Sequence, residues 1–319
     1  PYHDGESEPF LGRILAKYAR DSYYLATKLP VWLVNTAKEA QAVFDGQLDR
    51  LQVSYVDYYL FHALNRERWE KLKGSGIIEW AEQLKQEGKI RHLGFSFHDD
   101  YEVFREIITY RQWGCCRIQY NYMDRDIQAG DRGYELARKM GIPMIVMEPV
   151  KGGMLSGLPK EAQAILEEAD PERSPASWAL RWVGSHPGVK LVLSGMSSEE
   201  QLEDNIRTFS PFVPLGTQEE EVIGQAAKAI RARLKNSCTA CRYCMPCPAG
   251  VDIPGNFAIW NEGAMYDIEE KARKAFKEKQ EAGADAGLCI QCGKCEKVCP
   301  QGIGIRKDLA DVVKDLSAL

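Results

Sequence analysis

The chain has 319 residues, a formal net charge of −5, 45% hydrophobic residues and 27% charged ones. That length can bury a substantial core in one large domain or two, and the composition is that of an ordinary globular protein. The acidic balance argues against nucleic-acid or anionic-membrane partners, and no apolar run approaches the roughly 20 residues that cross a bilayer.

From Pro1 to about Asn236, short apolar runs alternate with longer amphipathic stretches. In chain order, the predicted strands cover residues 23–28, 55–62, 91–97, 115–120, 143–149 and 190–194. Helical patterning falls between them at 36–51, 69–87, 101–108 and 132–140. Such alternation predicts βα units on a parallel sheet. No G-x-G-x-x-G follows a strand, so a doubly wound sheet would lack its usual phosphate loop. Each apolar run ends in or near a polar residue: Lys28, His62, Ser96, Gln119 with Asn121, Glu148 and Ser194. One such residue is usually just solvated. Six together favour a (β/α)8 barrel, whose strand C-termini converge on a catalytic face.

The last third holds eight of the ten cysteines. Cys238, Cys241, Cys244 and Cys247-Pro248 form one run, and Cys289, Cys292, Cys295 and Cys299-Pro300 the other. The second is C-x2-C-x2-C-x3-C-P, the spacing by which three thiolates wrap one cubane and the fourth reaches another. The pattern therefore predicts two [4Fe–4S] clusters. One would be held by Cys238, Cys241, Cys244 and Cys299, the other by Cys289, Cys292, Cys295 and Cys247. Zinc sites use two C-x2-C pairs and not three successive thiolates with a Cys-Pro. The first run is one residue shorter before its Cys-Pro. A disulfide framework suits small secreted domains, so reduced, metal-bound thiolates in the cytoplasm fit better. A helix predicted at 268–282, between the runs, favours a mainly helical two-cluster module over a strand-rich one. The predicted domains are a barrel over 1–235 and a ferredoxin-like module over 236–319. Buried Cys115-Cys116 reads as a pair of small hydrophobes, His98 as a rim loop residue, Glu219–Glu221 as a solvated helix start, and Trp260 and Tyr266 as residues packing the iron–sulfur module against the barrel.

These features resemble the aldo-keto reductase family, in particular its members with a C-terminal iron–sulfur domain. Tyr2 through Gly12 is similar to the family's Tyr-Gly-x-Ser-Glu-x-x-Leu-Gly segment with a short insertion. Ala26-Thr27-Lys28 resembles the strand bearing the catalytic lysine, and 56–62, ending in His62, the strand bearing the catalytic histidine. Residues 88–96 and 119–121 follow the nicotinamide side, 147–153 the loop after the seventh strand, and 194–205 the adenosine-phosphate clamp.

The resemblance implies a nicotinamide-dependent enzyme interconverting a small-molecule carbonyl and alcohol. Tyr2 would be the general acid, Lys28 would favour its phenolate, and His62 would orient the substrate oxygen. Ser96, Gln119, Asn121, Pro149, Lys151, Gly152, Gly195, Ser197, Gln201 and Asn205 would bind NADP(H) or NAD(H). No Arg or Lys lies between Ser194 and Asn205 to grip a 2′-phosphate. The family's catalytic Asp and first two strands would precede Pro1, so the expectation is a barrel with its first two strands missing from this chain. Arg117 stands where the family usually has a Gln, and Met147 where an aromatic ring commonly stacks on the nicotinamide. The clusters would serve electron transfer, with a redox partner protein, or structure. The alternative is an iron–sulfur electron-transfer protein using the barrel as a docking scaffold.

Overall fold

A computed structural model describes residues 2–317. In chain order the elements are α1 (Ser7–Leu15), β1 (Ala26–Leu29), α2 (Ala37–Leu51), β2 (Val56–Leu64), α3 (Arg66–Lys73), α4 (Ile77–Gln86), β3 (Ile90–Phe97), α5 (Tyr101–Tyr110), β4 (Cys115–Gln119), α6 (Gly130–Lys139) and β5 (Met144–Met147). They continue with α7 (Lys160–Ala169), α8 (Pro175–Gly184), β6 (Val189–Val192), α9 (Glu199–Phe209), α10 (Thr217–Arg231), α11 (Ile253–Tyr266), α12 (Glu269–Glu281), α13 (Lys294–Lys297) and α14 (Ile305–Ser317). Two compact units result: Pro1–Gly152 with Ala179–Leu215, and Gly153–Trp178 with Gly216–Leu319. No helix among the described residues is long and apolar enough to cross a membrane.

In the first unit all six strands pair in parallel in the order β1-β2-β3-β4-β5-β6. Among the described residues β1 and β6 pair on one side only, so the chain contributes six strands of a (β/α)8 barrel. Side chains alternate across each strand. Tyr59, Phe61 and Phe95 point one way and are fully buried, meeting Phe44, Trp113 and Phe104 at ring distances of 4.9, 6.1 and 5.9 Å. The residues between them, including Tyr58, Leu60, His92 and Gly94, face the other way. Lys28 lies beside Leu60, Leu60 beside Gly94, and Gly94 beside Cys115, which sets the row on which the site is built.

Local signals explain the helix boundaries. Thr36, Asn65, Asp100 and Ser198 cap α2, α3, α5 and α9 through their side chains. The single helix predicted at 69–87 is two, α3 and α4. Gly74-Ser75-Gly76 interrupts it, with Gly76 at φ 73°, a left-handed conformation that breaks the helix at little cost for glycine.

The second unit is helical. Helices α11, α12 and α14 enclose Phe257, Trp260, Phe276, Leu309 and Val312, and both cysteine runs pack against this core. Trp260 belongs to that core and donates to Asp315 at 2.8 Å. Glu219, in the acidic run, accepts from the Gly216 N–H at 2.9 Å and so begins α10.

The two cysteine segments are wound alike. Ala240 and Arg242 flank Cys241 at φ 54° and 64°, and Gln291 and Gly293 flank Cys292 at φ 57° and 69°. Each Cys-Pro is followed by a left-handed glycine, Gly250 or Gly302, and then by a helix, α11 or α14.

Candidate active site and cysteine cavities

Tyr2, Lys28 and His62, sixty residues apart in sequence, meet in space. Lys28 Nζ donates to the Tyr2 hydroxyl at 2.7 Å, and that hydroxyl lies 3.0 Å from His62 Nε2. They border a cavity of about 340 Å³ that also takes in Ser7, Glu8 and Thr27. Burial, helped by the charge of Arg117, brings the Lys28 ammonium down to about 7. Burial, then the charges of Lys28 and Arg117, hold His62 down at about 3, so its imidazole is neutral. Trp32 closes the other side of His62, with ring centres 5.0 Å apart.

The backbone aims His62. The register of β2 against β3 slips between Phe61 and Leu64, and Ala63 takes a left-handed conformation at φ 53°. The Ala63 N–H, freed from the ladder, donates to Ser96 Oγ at 2.7 Å, and the Ala63 carbonyl accepts from Arg68 at 2.7 Å. Ser96, expected at the cofactor, is 2% exposed and spends its hydroxyl on this bulge.

Lys28 is held from behind. Gln47 donates to the Lys28 carbonyl at 2.8 Å and accepts from the Tyr59 hydroxyl at 2.9 Å. Glu8 accepts from Thr27 at 2.7 Å and from Gln47 at 3.1 Å, and pairs with Arg50 at 2.8 Å. The motif around Glu8 needs Gly12 for a steric reason. A Cβ there would stand 2.3 Å from the Arg50 carbonyl oxygen, so only glycine lets α1 lie this close to α2.

The predicted cofactor residues form two groups. Gln119, Asn121 and Lys151 converge on Asp124, at 3.0, 3.0 and 2.7 Å. Asn121 also donates to the Glu148 carbonyl at 3.1 Å, which ties the loop after β4 to the loop after β5. Pro149 is buried in that second loop, and Gly152 follows Lys151 at φ 61°. Gly195, Ser197, Gln201 and Asn205 gather where β6 leads into α9. Gln201 accepts from the Ser197 N–H at 2.8 Å and Asn205 donates to Ser194 at 3.0 Å. A Cβ on Gly195 would meet nothing within 4 Å. This open segment of amides and hydroxyls suits a phosphate, and the Asp124-centred loop suits a carboxamide.

Each cysteine set lines one cavity. Cys238, Cys241, Cys244 and Cys299 surround the first. Cys289, Cys292, Cys295 and Cys247 line the second, and Cys244 lines both. Among the described residues no three His, Cys, Asp or Glu side chains gather tightly enough to hold a single ion. The thiols instead ring a space, and the left-handed residues on both sides of Cys241 and Cys292 are the kind of backbone from which anion-receiving concavities are built. Asn236, Asn261 and Asn256 brace these loops: Asn236 accepts from the Cys238 N–H at 3.2 Å, and Asn261 from the Asn236 N–H at 3.1 Å. Glu296, within the second run, pairs with Arg306 at 2.8 Å.

Cys115 and Cys116 are buried, and burial pushes the Cys115 thiol up to about 12, which leaves it unreactive at neutral pH. His98 is lowered by its burial and by Arg117. Sequence reasoning passed over Trp32, Gln47, Asp124 and the asparagine braces, and gave Glu8 a place in a motif but no role. The near-repeat of the cysteine segments, offset by about 51 residues, was visible in the sequence, but the asparagines are not part of it: Gly287, Lys307 and Val312 stand at the matching positions.

Comparison with known proteins agrees with this architecture. The profile of the Aldo/keto reductase family matches residues 1–228, and that of the 4Fe-4S dicluster domain matches 237–303. The NADH-specific methylglyoxal reductase of Escherichia coli is 24% identical over 277 residues, covering 72% of this chain and 82% of the relative. Aflatoxin B1 aldehyde reductase member 2 of Rattus norvegicus is 28% identical, covering 64% and 68%. Among solved structures, the holo form of aldo-keto reductase AKR11C1 from Bacillus halodurans superposes with a TM-score of 0.57 at 28% identity, over 69% of this chain and 76% of that one. The parallel barrel strands, the assembled Tyr-Lys-His group and the family match over most of the chain lead to one conclusion: this chain belongs to the aldo/keto reductase family and carries a C-terminal 4Fe-4S dicluster domain.

Proposed function

We propose that this oxidoreductase interconverts a small carbonyl compound and its alcohol with a nicotinamide cofactor, using Tyr2, Lys28 and His62. The observation that carries the reading is the Tyr2 hydroxyl, held at 2.7 Å by Lys28 and 3.0 Å from His62. A bound nicotinamide supplies the hydride. Tyr2 gives its proton to the carbonyl oxygen, and the neutral His62 donates a hydrogen bond to the same oxygen and fixes its direction. Cationic Lys28 stabilises the phenolate that remains, because an opposite charge at hydrogen-bond distance favours the ionised form. Gln119, Asn121, Pro149, Lys151 and Gly152 would hold the nicotinamide side, with Ser96 acting through the His62 bulge. Gly195, Ser197, Gln201 and Asn205 would hold the phosphates.

The eight C-terminal cysteines would hold two [4Fe–4S] clusters in the sets that line the two cavities. Hydride carries two electrons and each cluster one, so the pair of clusters matches the stoichiometry of an electron relay.

The test uses the full chain purified without oxygen. NADH and NADPH are titrated separately by fluorescence quenching, and turnover of an aldehyde panel is compared with that of Tyr2→Phe. Saturable binding of at least one cofactor, with turnover lost in Tyr2→Phe, is expected; failure to bind either would sink the proposal. Cluster bleaching on cofactor addition marks a relay, and unchanged clusters alongside turnover mark a structural role.

A further inference from the structure

We propose that Arg117 receives an anionic group on the substrate, so that the preferred carbonyl compounds carry a carboxylate or phosphate. The inference rests on the reductase reading above and adds a substrate class to it.

Three observations carry it. First, Arg117 lies on β4 beside Ser96, two residues beyond the row holding Lys28 and on the face it shares with Gln119. Its charge acts on Lys28 on β1, His62 on β2 and His98 after β3, so it is near enough to the reacting groups to lower all three. Second, it is unpaired. Its Nε is buried without a partner, and its side chain makes no hydrogen bond or ion pair among the described residues. Third, the neighbouring cations are committed elsewhere. Arg68 donates to the Ala63 carbonyl at 2.7 Å, Lys151 is paired with Asp124, and Lys28 donates to Tyr2. A half-buried guanidinium left without a counter-charge is costly. A carboxylate or phosphate, taken by the planar fork of arginine in two parallel hydrogen bonds, removes that cost. A neutral nicotinamide carboxamide could accept one of those hydrogen bonds but could not balance the charge.

The test compares succinic semialdehyde and glyceraldehyde 3-phosphate with uncharged butanal, in the wild type and in Arg117→Gln and Arg117→Lys. The wild type is expected to favour at least one acidic aldehyde over butanal by about tenfold or more in kcat/KM, the scale of one charge-assisted hydrogen-bonded pair. Arg117→Gln should erase that ratio through KM, and Arg117→Lys should restore part of it. A bound anion offsets the field of Arg117, so the basic limb of the rate profile should move to higher pH with the acidic substrate. Which acidic aldehyde responds distinguishes carboxylate from phosphate. Equal preference for butanal in the wild type would overturn the inference. So would a ratio unchanged by Arg117→Gln, or a loss confined to cofactor affinity, which would assign Arg117 to the cofactor's own phosphates. Should no aldehyde turn over, titration with succinate separates the two claims. Saturable binding abolished by Arg117→Gln keeps the anion site while the reductase reading falls, and binding identical in both proteins removes it.

Discussion

Lys28 couples catalysis to pH. Its ammonium is charged below about pH 7 and neutral above, because burial and Arg117 bring it down from 10.5. Only the charged form stabilises a Tyr2 phenolate, so kcat for carbonyl reduction should be level below about pH 7 and fall above it. Lys28→Met should lose roughly a hundredfold or more in kcat, the scale of general acid catalysis. The same shift has a stability consequence of definite sign. The unfolded chain holds the Lys28 proton more tightly than the folded one, so burial of the charge destabilises fully below about pH 7 and the penalty fades as pH rises to 10.5. Lys28→Met should therefore melt higher than the wild type at pH 6, and the gain should shrink at alkaline pH. A variant that melts lower at pH 6 would contradict the assigned environment. Ser96 makes a second residue-scale case. Ser96→Ala would strand the half-buried Ala63 N–H, at about 1 kcal/mol, and let His62 swing. A drop in both melting temperature and kcat, with cofactor affinity retained, is the expected outcome.

At the scale of elements, how α1 meets α2 decides whether Tyr2 finds Lys28. Gly12→Ala would set a methyl against the Arg50 carbonyl, and overpacking of this kind costs about 1–3 kcal/mol. Lifting α1 would also pull Glu8 from Thr27, Gln47 and Arg50, so activity should fall further than stability alone explains. Kinetics under conditions where the variant is fully folded check this. Elsewhere on the sheet, Asp57 at the start of β2 is fully buried between Arg20 and Arg91, at 2.7 and 2.8 Å. Burial opposes its charge, but the hydrogen bond from Arg20 and the charges of both arginines keep the carboxyl below its usual range. Its contribution is present at neutral pH and is lost as pH falls below the ordinary carboxylate range. Asp57→Ala, which leaves two arginines uncompensated, should cost about 3–5 kcal/mol in urea unfolding. Strands and most helices were legible because alternation and caps are local. The split between α3 and α4 was missed because glycine in a strongly amphipathic stretch reads as tolerated. Gln47 and Asp124 escaped notice, and Glu8 was seen only as a motif residue, because no periodicity records a contact such as that between Glu8 and Gln47, 39 residues apart.

At the scale of the whole molecule, the proposed ligation would make the two cysteine segments copies of one unit that exchange their last ligand. Cys247 lines the cavity of the second run and Cys299 that of the first. The spacing of the second run predicts this crossing, whereas the shorter first run specifies its own ligation less well. Such a crossing would make the domain one cooperative object, because neither cluster could form from a single segment. It also makes an unusual prediction for paired substitutions. If ligation were local, Cys241→Ala with Cys247→Ala would damage one cluster and spare the other. With crossed ligands that pair strikes both clusters and should remove nearly all the iron, while Cys241→Ala with Cys299→Ala strikes one and should leave about half. Iron and sulfide analysis with EPR of the reduced proteins distinguishes the two wirings. Metal loss should reach further than the metal, since Phe257, Trp260 and Leu309 pack against the same loops that the clusters would tie down. Chelation of both clusters should therefore lower the helical signal of this unit, as expected where binding free energy is folding free energy.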